Sequence, residues 1–209
     1  PAAAASASWA ILAGIDRGYV TREEGLARME RIVSFLEKAD RFHGAYPHWW
    51  YGDTGKVKPF GQKDNGGDLV ETAFLMQGLL AVHQYYINGN EKEKALAARI
   101  DQIWKDVDWN WYRNGDQNVL YWHWSPTYGW EMDFPIHGYN ECMIMYILAA
   151  ASPTTEYRQL SITMAGRRTE LSSPHIKWKA SNCISAIRAR KPDRFSGHNI
   201  LSSASTPSD

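Results

Sequence analysis

The sequence predicts an all-α fold, layered or toroidal, and three observations lead to that prediction. Apolar residues recur at three- and four-residue spacing in successive segments before residue 153. The longest segment is apolar over more than one face, so it needs neighbours on several sides. No run approaches the roughly 20 apolar residues that a membrane helix requires, so the helices are expected to pack on one another.

Each predicted helix has a recognisable start or end. The N-terminal PAAAASASWAILAG is small and apolar, and we interpret it as part of a helix rather than an intact signal peptide. Thr21 and Glu24 form a T-x-x-E capping box before the next helix. After a loop from about 39 to 66, the run DLVETAFLMQGLLAVHQYY predicts a third helix. Two more follow, one after Asn90 and one over NECMIMYILAAA, which stops at Ser152-Pro153.

The composition changes after residue 155. Residues 156–209 contain nine Lys/Arg against four Asp/Glu, a balance of +5, and because the whole chain is neutral, residues 1–155 carry −5. The tail is rich in Ser and Arg, and no apolar period persists in it. We therefore predict one domain over 1–155 and an irregular C-terminal tail, either partly disordered or a continuation in the wrong reading frame.

The aromatic content indicates the class of ligand. The chain has 10 Trp, 11 Tyr and 6 Phe, and nine of the tryptophans precede residue 131. Aromatic clusters beside polar groups bind sugar rings or bases, but zero net charge and the lack of a basic stripe disfavour nucleic acid. Cys142 and Cys183 allow one bridge or two free thiols, and the absence of metal-ligand spacing predicts neither metal nor cofactor.

Three carboxylates stand at predicted helix starts, each beside a glycine and an aromatic loop. Asp64 and Asp68 lie in FGQKDNGGDLVET, and Glu141 lies in HGYNECMIMYIL. Each also has a structural explanation: an Asx turn for Asp64, an N-cap with Glu71 for Asp68, and the helix dipole for Glu141. In a helical toroid such ends line one mouth, which would present paired acids for glycosidic cleavage.

Two loops, AYPHWWYG and LYWHWSPTYGW, supply consecutive or alternate aromatics rather than the spacing of a core helix. We expect the two histidines in these loops to donate hydrogen bonds to hydroxyls, since no third close His or Cys pair supports a metal site. About half of the aromatics are expected to be packing. The predicted substrate-binding residues are His48, Trp49, Trp50, Trp122, His123, Trp124, Tyr139 and Asn140.

Several long motifs resemble one family. IDRGYVTREEGLARM, GAYPHWWYGDTGKVKPFGQKDNGGDLVETAFLMQGLL, YWHWSPTYGWEM and GYNECMIMYILAAASPT occur in order over residues ~5–154. They resemble the bacterial glucoamylase-like family, which includes the β-1,2-glucanases of glycoside hydrolase family 144. The resemblance implies an (α/α)6 toroid and an anomer-inverting endo-hydrolase of β-1,2-glucan, exported to the periplasm or outside the cell.

The family's acidic candidates in D-N-G-G-D and G-Y-N-E-C fall on Asp64, Asp68 and Glu141. Family members continue after A-A-A-S-P-T-H with several more helices, whereas this chain has Thr155 and then the tail. Twelve helices of about 11–12 residues plus long loops do not fit in 150 residues, so the sequence predicts an incomplete toroid, a partial helical barrel.

The sequence therefore favours a glycoside hydrolase with an oligo- or polysaccharide substrate. Glu141 is predicted as the acid and Asp64 or Asp68 as the base or the residue that positions water. The main alternative is a non-catalytic glucan-binding protein in which Trp49, Trp50, Trp122 and Trp124 stack on sugar rings. A lyase, a phosphorylase or a helical domain whose aromatics only pack are the remaining alternatives. The oligomeric state is not predicted.

Overall fold

The computed structural model describes residues 1–115, 117–138 and 140–154. The predicted tail over 156–209 and the predicted ligand contact Tyr139 lie outside the described residues. Over the described residues the protein is rich in helices, with four strands of two residues each. The helices are α1 (Ala2–Asp16), α2 (Arg22–Leu36), α3 (Leu69–Tyr86), α4 (Glu91–Lys105) and α5 (Met143–Ala151), and the strands are β1 (Trp49–Trp50), β2 (Val57–Lys58), β3 (Gly67–Asp68) and β4 (His123–Trp124). None of the described helices is long and apolar enough to cross a membrane.

Local capping fixes where α2 and α4 begin. The Glu24 amide donates to Thr21 Oγ1 (3.1 Å) and the Thr21 amide donates to Glu24 Oε2 (2.8 Å), which confirms the predicted capping box. Asn90 and Glu93 make the same reciprocal pair at the start of α4. Each box satisfies two amides that a helix start otherwise leaves without partners.

Helix α3 is the central helix of the core. It packs against α1, α4 and α5, as its apolar character on several sides predicts. Gly78 on α3 permits the contact with α1, because a Cβ added there would lie 2.8 Å from the Cα of Ala5. The most deeply buried α3 side chains include Leu69, Leu75, Met76, Leu79 and Val82.

Two short antiparallel ribbons organise the long loops. Strands β1 and β2 form a hairpin that pairs Trp49 with Lys58. Strand β3 pairs with β4, which sets Asp68 opposite His123. The Asp68 amide donates to Tyr46 O and the Leu69 amide donates to Trp122 O, and each N···O distance is 2.8 Å. Three loops from distant parts of the chain therefore meet at the start of α3.

Helix α5 begins later than the sequence predicts. Residues 140–142 form a turn, and the helix starts at Met143. The side chain of Asn140 accepts the Cys142 amide (3.0 Å), and the Asn140 carbonyl accepts the Met143 amide (3.1 Å). This local turn uses the groups that would otherwise extend the helix, so Glu141 precedes α5 instead of occupying its first turn.

Candidate active site

Asp68 uses both carboxylate oxygens. Its Oδ1 accepts the Glu71 amide (2.9 Å), which is the N-cap bond of α3. Its Oδ2 accepts the indole N–H of Trp122 (2.8 Å) and lies 2.9 Å from Nδ1 of His48. The side chain is fully buried. The Glu71 amide, the Trp122 indole and the His48 ring therefore converge on this one carboxylate.

The predicted capping role of Asp68 is confirmed, but it is only half of a capping box. The Glu71 carboxylate does not return to the Asp68 amide, which is bonded to Tyr46 O. Instead, Glu71 Oε2 accepts the Ala2 amide (2.8 Å) and links α3 to α1. Glu71 therefore has a structural role, and the second oxygen of Asp68 faces other loops.

Asp64 is held in a different way. The turn of residues 61–64 fixes its backbone, since the Asp64 amide donates to Gly61 O (3.1 Å) and the Phe60 amide donates to Asp64 O (3.0 Å). Its side chain is only 3% exposed, and neither carboxylate oxygen has a hydrogen-bond partner among the described residues. Because unpartnered buried carboxylates are rare, Asp64 is the most unusual group of the site.

His123 is the nearest neighbour of Asp64. Its Nε2 lies 3.2 Å from Asp64 Oδ1, without hydrogen-bond geometry, and accepts the Gly66 amide (3.3 Å). Two acceptor atoms therefore face each other.

The sequence predicted His123 as a donor to sugar hydroxyls. In the structure its side chain is buried, and the pairing of β4 with β3 places its ring beside Asp64. Its contact with a sugar stays a prediction.

His48 connects this buried cluster to the outside. Its Nδ1 is 2.9 Å from Asp68 Oδ2 and 3.9 Å from Asp64 Oδ2, while 22% of its side chain is exposed. Its ring stacks on Phe60, with centroids 4.3 Å apart and planes at 15°. The hydrogen bond to Asp68 raises the pKa of His48 above its ordinary value, against the effect of burial.

A cavity of about 430 Å³ lies beside His48. The hairpin β1–β2 forms one wall and α1 contributes another. Asp64 and Asp68 do not line this cavity. Of these two aspartates and the neighbouring His48, which together form the acidic cluster, it is His48 that reaches the cavity. The lining residues are Pro1, Ala3, Ala4, His48, Trp49, Trp50 and Lys58.

The four predicted tryptophans have different environments. Trp49 is 46% exposed and lines the cavity, which suits a stacking platform. Trp50 also lines the cavity, but it packs edge-on against Phe35 and Tyr46. Trp122 uses its indole N–H on Asp68. Trp124 packs edge-on against His43 and Trp111, outside the cavity.

Glu141 is exposed, as is Asn140 beside it. Cys142 is the next residue. Burial raises the pKa of its thiol, and the charges of Glu141 and Asp68 raise it further. Helix α5, which follows this turn, packs against α3.

Close backbone packing explains why glycine occupies both positions between the aspartates of DNGGD. A Cβ on Gly66 would meet Trp124 O at 2.0 Å, and one on Gly67 would meet the Tyr112 hydroxyl at the same distance. The structure shows that the backbone approaches the chain's own loops, which is what the β3–β4 pairing requires.

Two residues of the site were missed by the sequence analysis. Phe60 stacks on His48 and is 51% exposed. Lys58 lies over the rings of Trp49 and Tyr51 and lines the cavity. Phe60 opens the FGQKDNGGD segment, so its place beside the acidic run was the available signal; Lys58 gave none, because only strand pairing brings it to Trp49.

One group of side chains has donor atoms close enough for a metal ion. Among the described residues, one ligand atom each from His48, Asp64 and Asp68 lie within 4.8 Å of one another. However, His48 Nδ1 and Asp68 Oδ2 are bonded directly to each other, and Trp122 donates to the same oxygen. Hydrogen bonding accounts for the approach of His48 to Asp68, and we assign no metal to the group.

A helix-rich fold with buried acids at a helix start beside aromatic loops is consistent with a helical, glucoamylase-like fold. No protein-family model matches the chain. Comparison with individual proteins shows clear relatives.

The exo β-1,2-glucooligosaccharide sophorohydrolase of Parabacteroides distasonis is 56% identical over 146 residues, which are 69% of this chain and 20% of that protein. The crystal structure of the endo-β-1,2-glucanase of Chitinophaga pinensis, in complex with sophorotriose and glucose, is 75% identical; the match covers 70% of this chain and 35% of that one, with a TM-score of 0.69. A Bacteroides caccae protein, provisionally named a glucoamylase, is 91% identical over 70% of this chain and 36% of its own, with a TM-score of 0.70.

The chain is thus a homologue of β-1,2-glucan hydrolases, and the resemblance predicted from its motifs to family 144 β-1,2-glucanases is confirmed. It spans about one fifth to one third of the length of these relatives.

Proposed function

We propose that the protein containing this chain is a glycoside hydrolase that cleaves β-1,2-glucan with inversion of the anomeric centre. The observation that carries the proposal is the buried Asp64 carboxylate, which has no hydrogen-bond donor on either oxygen within the described part of the chain and lies beside Asp68 and two histidines. An acid group kept free of structural bonds is available for proton transfer. The names of the relatives support the substrate class.

The contacts divide the roles of the carboxylates. Asp68 is committed to the α3 cap, His48 and Trp122, so it positions the site. Asp64 then has the base role, activating water on one face of the sugar. Glu141, exposed and unpaired with any cation among the described residues, has the acid role on the other face, as the sequence predicted. Inversion requires the two carboxyls to be roughly 6.5–9.5 Å apart in the working enzyme.

We also propose that residues 1–155 form part of an (α/α)6 toroid. Apolar side chains at the surface of two helices support this architecture, since Trp9 on α1 is 49% exposed and Ile147 on α5 is 39% exposed. Further helices of a ring would cover such groups. Export to the periplasm or beyond the cell is the localisation that matches a polymeric glucan substrate.

The test is product analysis on linear β-1,2-glucan, beside other β-glucans and starch. Anomer-resolved NMR should show inverted products from β-1,2-glucan alone. Retained anomers would overturn the mechanism, and binding of the glucan without products would favour a glucan-binding protein.

Amide variants test the roles. Asp64→Asn and Glu141→Gln should each reduce kcat by about 10²–10⁴-fold, the usual contribution of general acid–base catalysis. Asp53→Asn, which changes an exposed carboxylate on the β1–β2 turn, is the matched control and should keep full activity. Full activity in Glu141→Gln would remove Glu141 from the mechanism.

A further inference from the structure

His48 has an unusual combination of contacts for a residue of a sugar site. One ring nitrogen is bonded to a fully buried carboxylate, the ring stacks on an exposed aromatic, and a fifth of the side chain is open to the cavity. The sequence predicted a donor of hydrogen bonds to hydroxyls at this position. The contacts indicate a more specific state.

The charges around His48 are nearly all negative. Asp68 lies at 2.9 Å and Asp64 at 3.9 Å from Nδ1, and Glu71 also acts on the ring. Two cations line the same cavity: Lys58, which lies over the rings of Trp49 and Tyr51, and the N-terminal amine of Pro1, which lies 3.5 Å from Glu71 Oε2. Two acids buried this closely repel each other unless a positive charge lies between them.

The hydrogen bonds also fix the orientation of the ring. Asp68 Oδ2 accepts from Trp122, and we assign Nδ1–H of His48 as the second donor to the same oxygen. Nε2 has no partner among the described residues and is the remaining polar atom of the ring. A second proton on Nε2 would make it a donor to an acceptor in the cavity.

We propose that His48 is an imidazolium that balances the Asp68 charge and presents Nε2–H to a hydroxyl oxygen of a sugar in the cavity. It is a pH-dependent positioning residue for the substrate, and the proposal rests on the function proposed above. The hydrogen bond to Asp68 raises the pKa of His48, so the charged form persists to higher pH than in a free histidine. Sugar binding should therefore weaken as pH rises through that pKa.

The charge state can be measured without any activity. The imidazole nitrogens of the 209-residue chain are titrated by NMR, with the His48 signals assigned from His48→Gln. The midpoint of His48 should lie above its ordinary value of 6.5. It should fall in Asp68→Asn, in which the side-chain oxygen can still cap α3. Asp53→Asn is the control and should leave the midpoint unchanged.

Binding of β-1,2-glucooligosaccharides to the same protein is then measured by calorimetry from pH 5 to 9. Affinity should fall by about 10-fold across the His48 midpoint, the effect of losing one charged hydrogen bond of moderate strength. In His48→Gln the affinity should be low and independent of pH.

The outcomes separate the two proposals. A midpoint at or below 6.5, or one that Asp68→Asn leaves unchanged, overturns the assigned charge. A raised midpoint with pH-independent binding overturns the donor role. Failure to bind at any pH, with a raised midpoint, overturns the donor role of His48 while the imidazolium assignment stands; the proposed function is tested separately by the product analysis above.

Discussion

At the residue scale, the two aspartates of DNGGD show how one short segment serves structure and chemistry. One oxygen of Asp68 accepts the capping hydrogen bond of α3, and the other contacts two side chains from different loops. Asp64, four residues earlier, has none of these bonds. The difference comes from backbone position, since Asp68 is the N-cap residue and Asp64 ends a tight turn.

Gly67, the second of the two glycines between these aspartates, gives a residue-scale prediction. Gly67→Ala should destabilise the protein by about 1–3 kcal/mol, because its Cβ would overlap the Tyr112 hydroxyl, itself bonded to Phe42 O. Gly61→Ala is the control in the same segment, since a Cβ there meets nothing within 4 Å. Urea denaturation measures both. Equal stability of the two variants would contradict the packing described for β3.

At the element scale, one ion pair links three helices. Arg22 at the start of α2 bonds to the Glu93 carboxylate of α4, which is 3% exposed, and its guanidinium lies over the rings of Tyr85 and Tyr86 on α3. Glu93 also completes the α4 capping box through the Asn90 amide. The pair therefore fixes the relative positions of helix starts that capping alone leaves independent.

The Arg22 hydrogen bond lowers the pKa of Glu93 below its ordinary value of 4.5, against burial, which raises it. A lowered folded-state pKa stabilises the protein above 4.5 and loses that contribution as pH falls through the folded value. Glu93→Gln should cost about 1.5–3 kcal/mol at pH 7 and flatten the loss of stability below about pH 5.

Urea denaturation at pH 7 and pH 4 measures this effect. Glu91→Gln, an exposed acid at the same helix start, is the control and should change stability little. If Glu93→Gln is no less stable than Glu91→Gln at pH 7, the ion pair does not contribute as described.

At the scale of the whole molecule, the chain matches only 20–36% of the length of its relatives. Its acidic cluster is assembled, but the cavity is walled by α1 and one hairpin. A cleft for a polymer needs walls on more sides, as a complete ring of helices would provide.

A chimera tests whether activity on the polymer needs further walls around this cavity. Residues 1–154 are joined to the part of the Bacteroides caccae protein that follows the matched segment, and activity on β-1,2-glucan is assayed. The chimera should be active and the 209-residue chain at least 100-fold less active, because walls from α1 and one hairpin do not enclose a sugar at both of its faces. Equal activity of the two proteins would contradict the toroid proposal.

Much of the fold could be predicted from the sequence. The capping residues Thr21, Asp68 and Asn90 mark three helix starts correctly, since a cap depends only on residues within one turn. The start of α5 was predicted too early, because the Asn140 turn competes with the helix and propensity does not decide between them.

The sequence alone determined which residue types are present for catalysis, where the helices lie and which family the motifs resemble. Tertiary structure decided which polar groups meet: Trp122 reaches Asp68 across 54 residues of sequence, and β3–β4 pairing sets His123 against Asp64. The physical reason is that side-chain protonation and hydrogen bonding depend on neighbours a few ångströms away, and only the packing of distant loops supplies those neighbours.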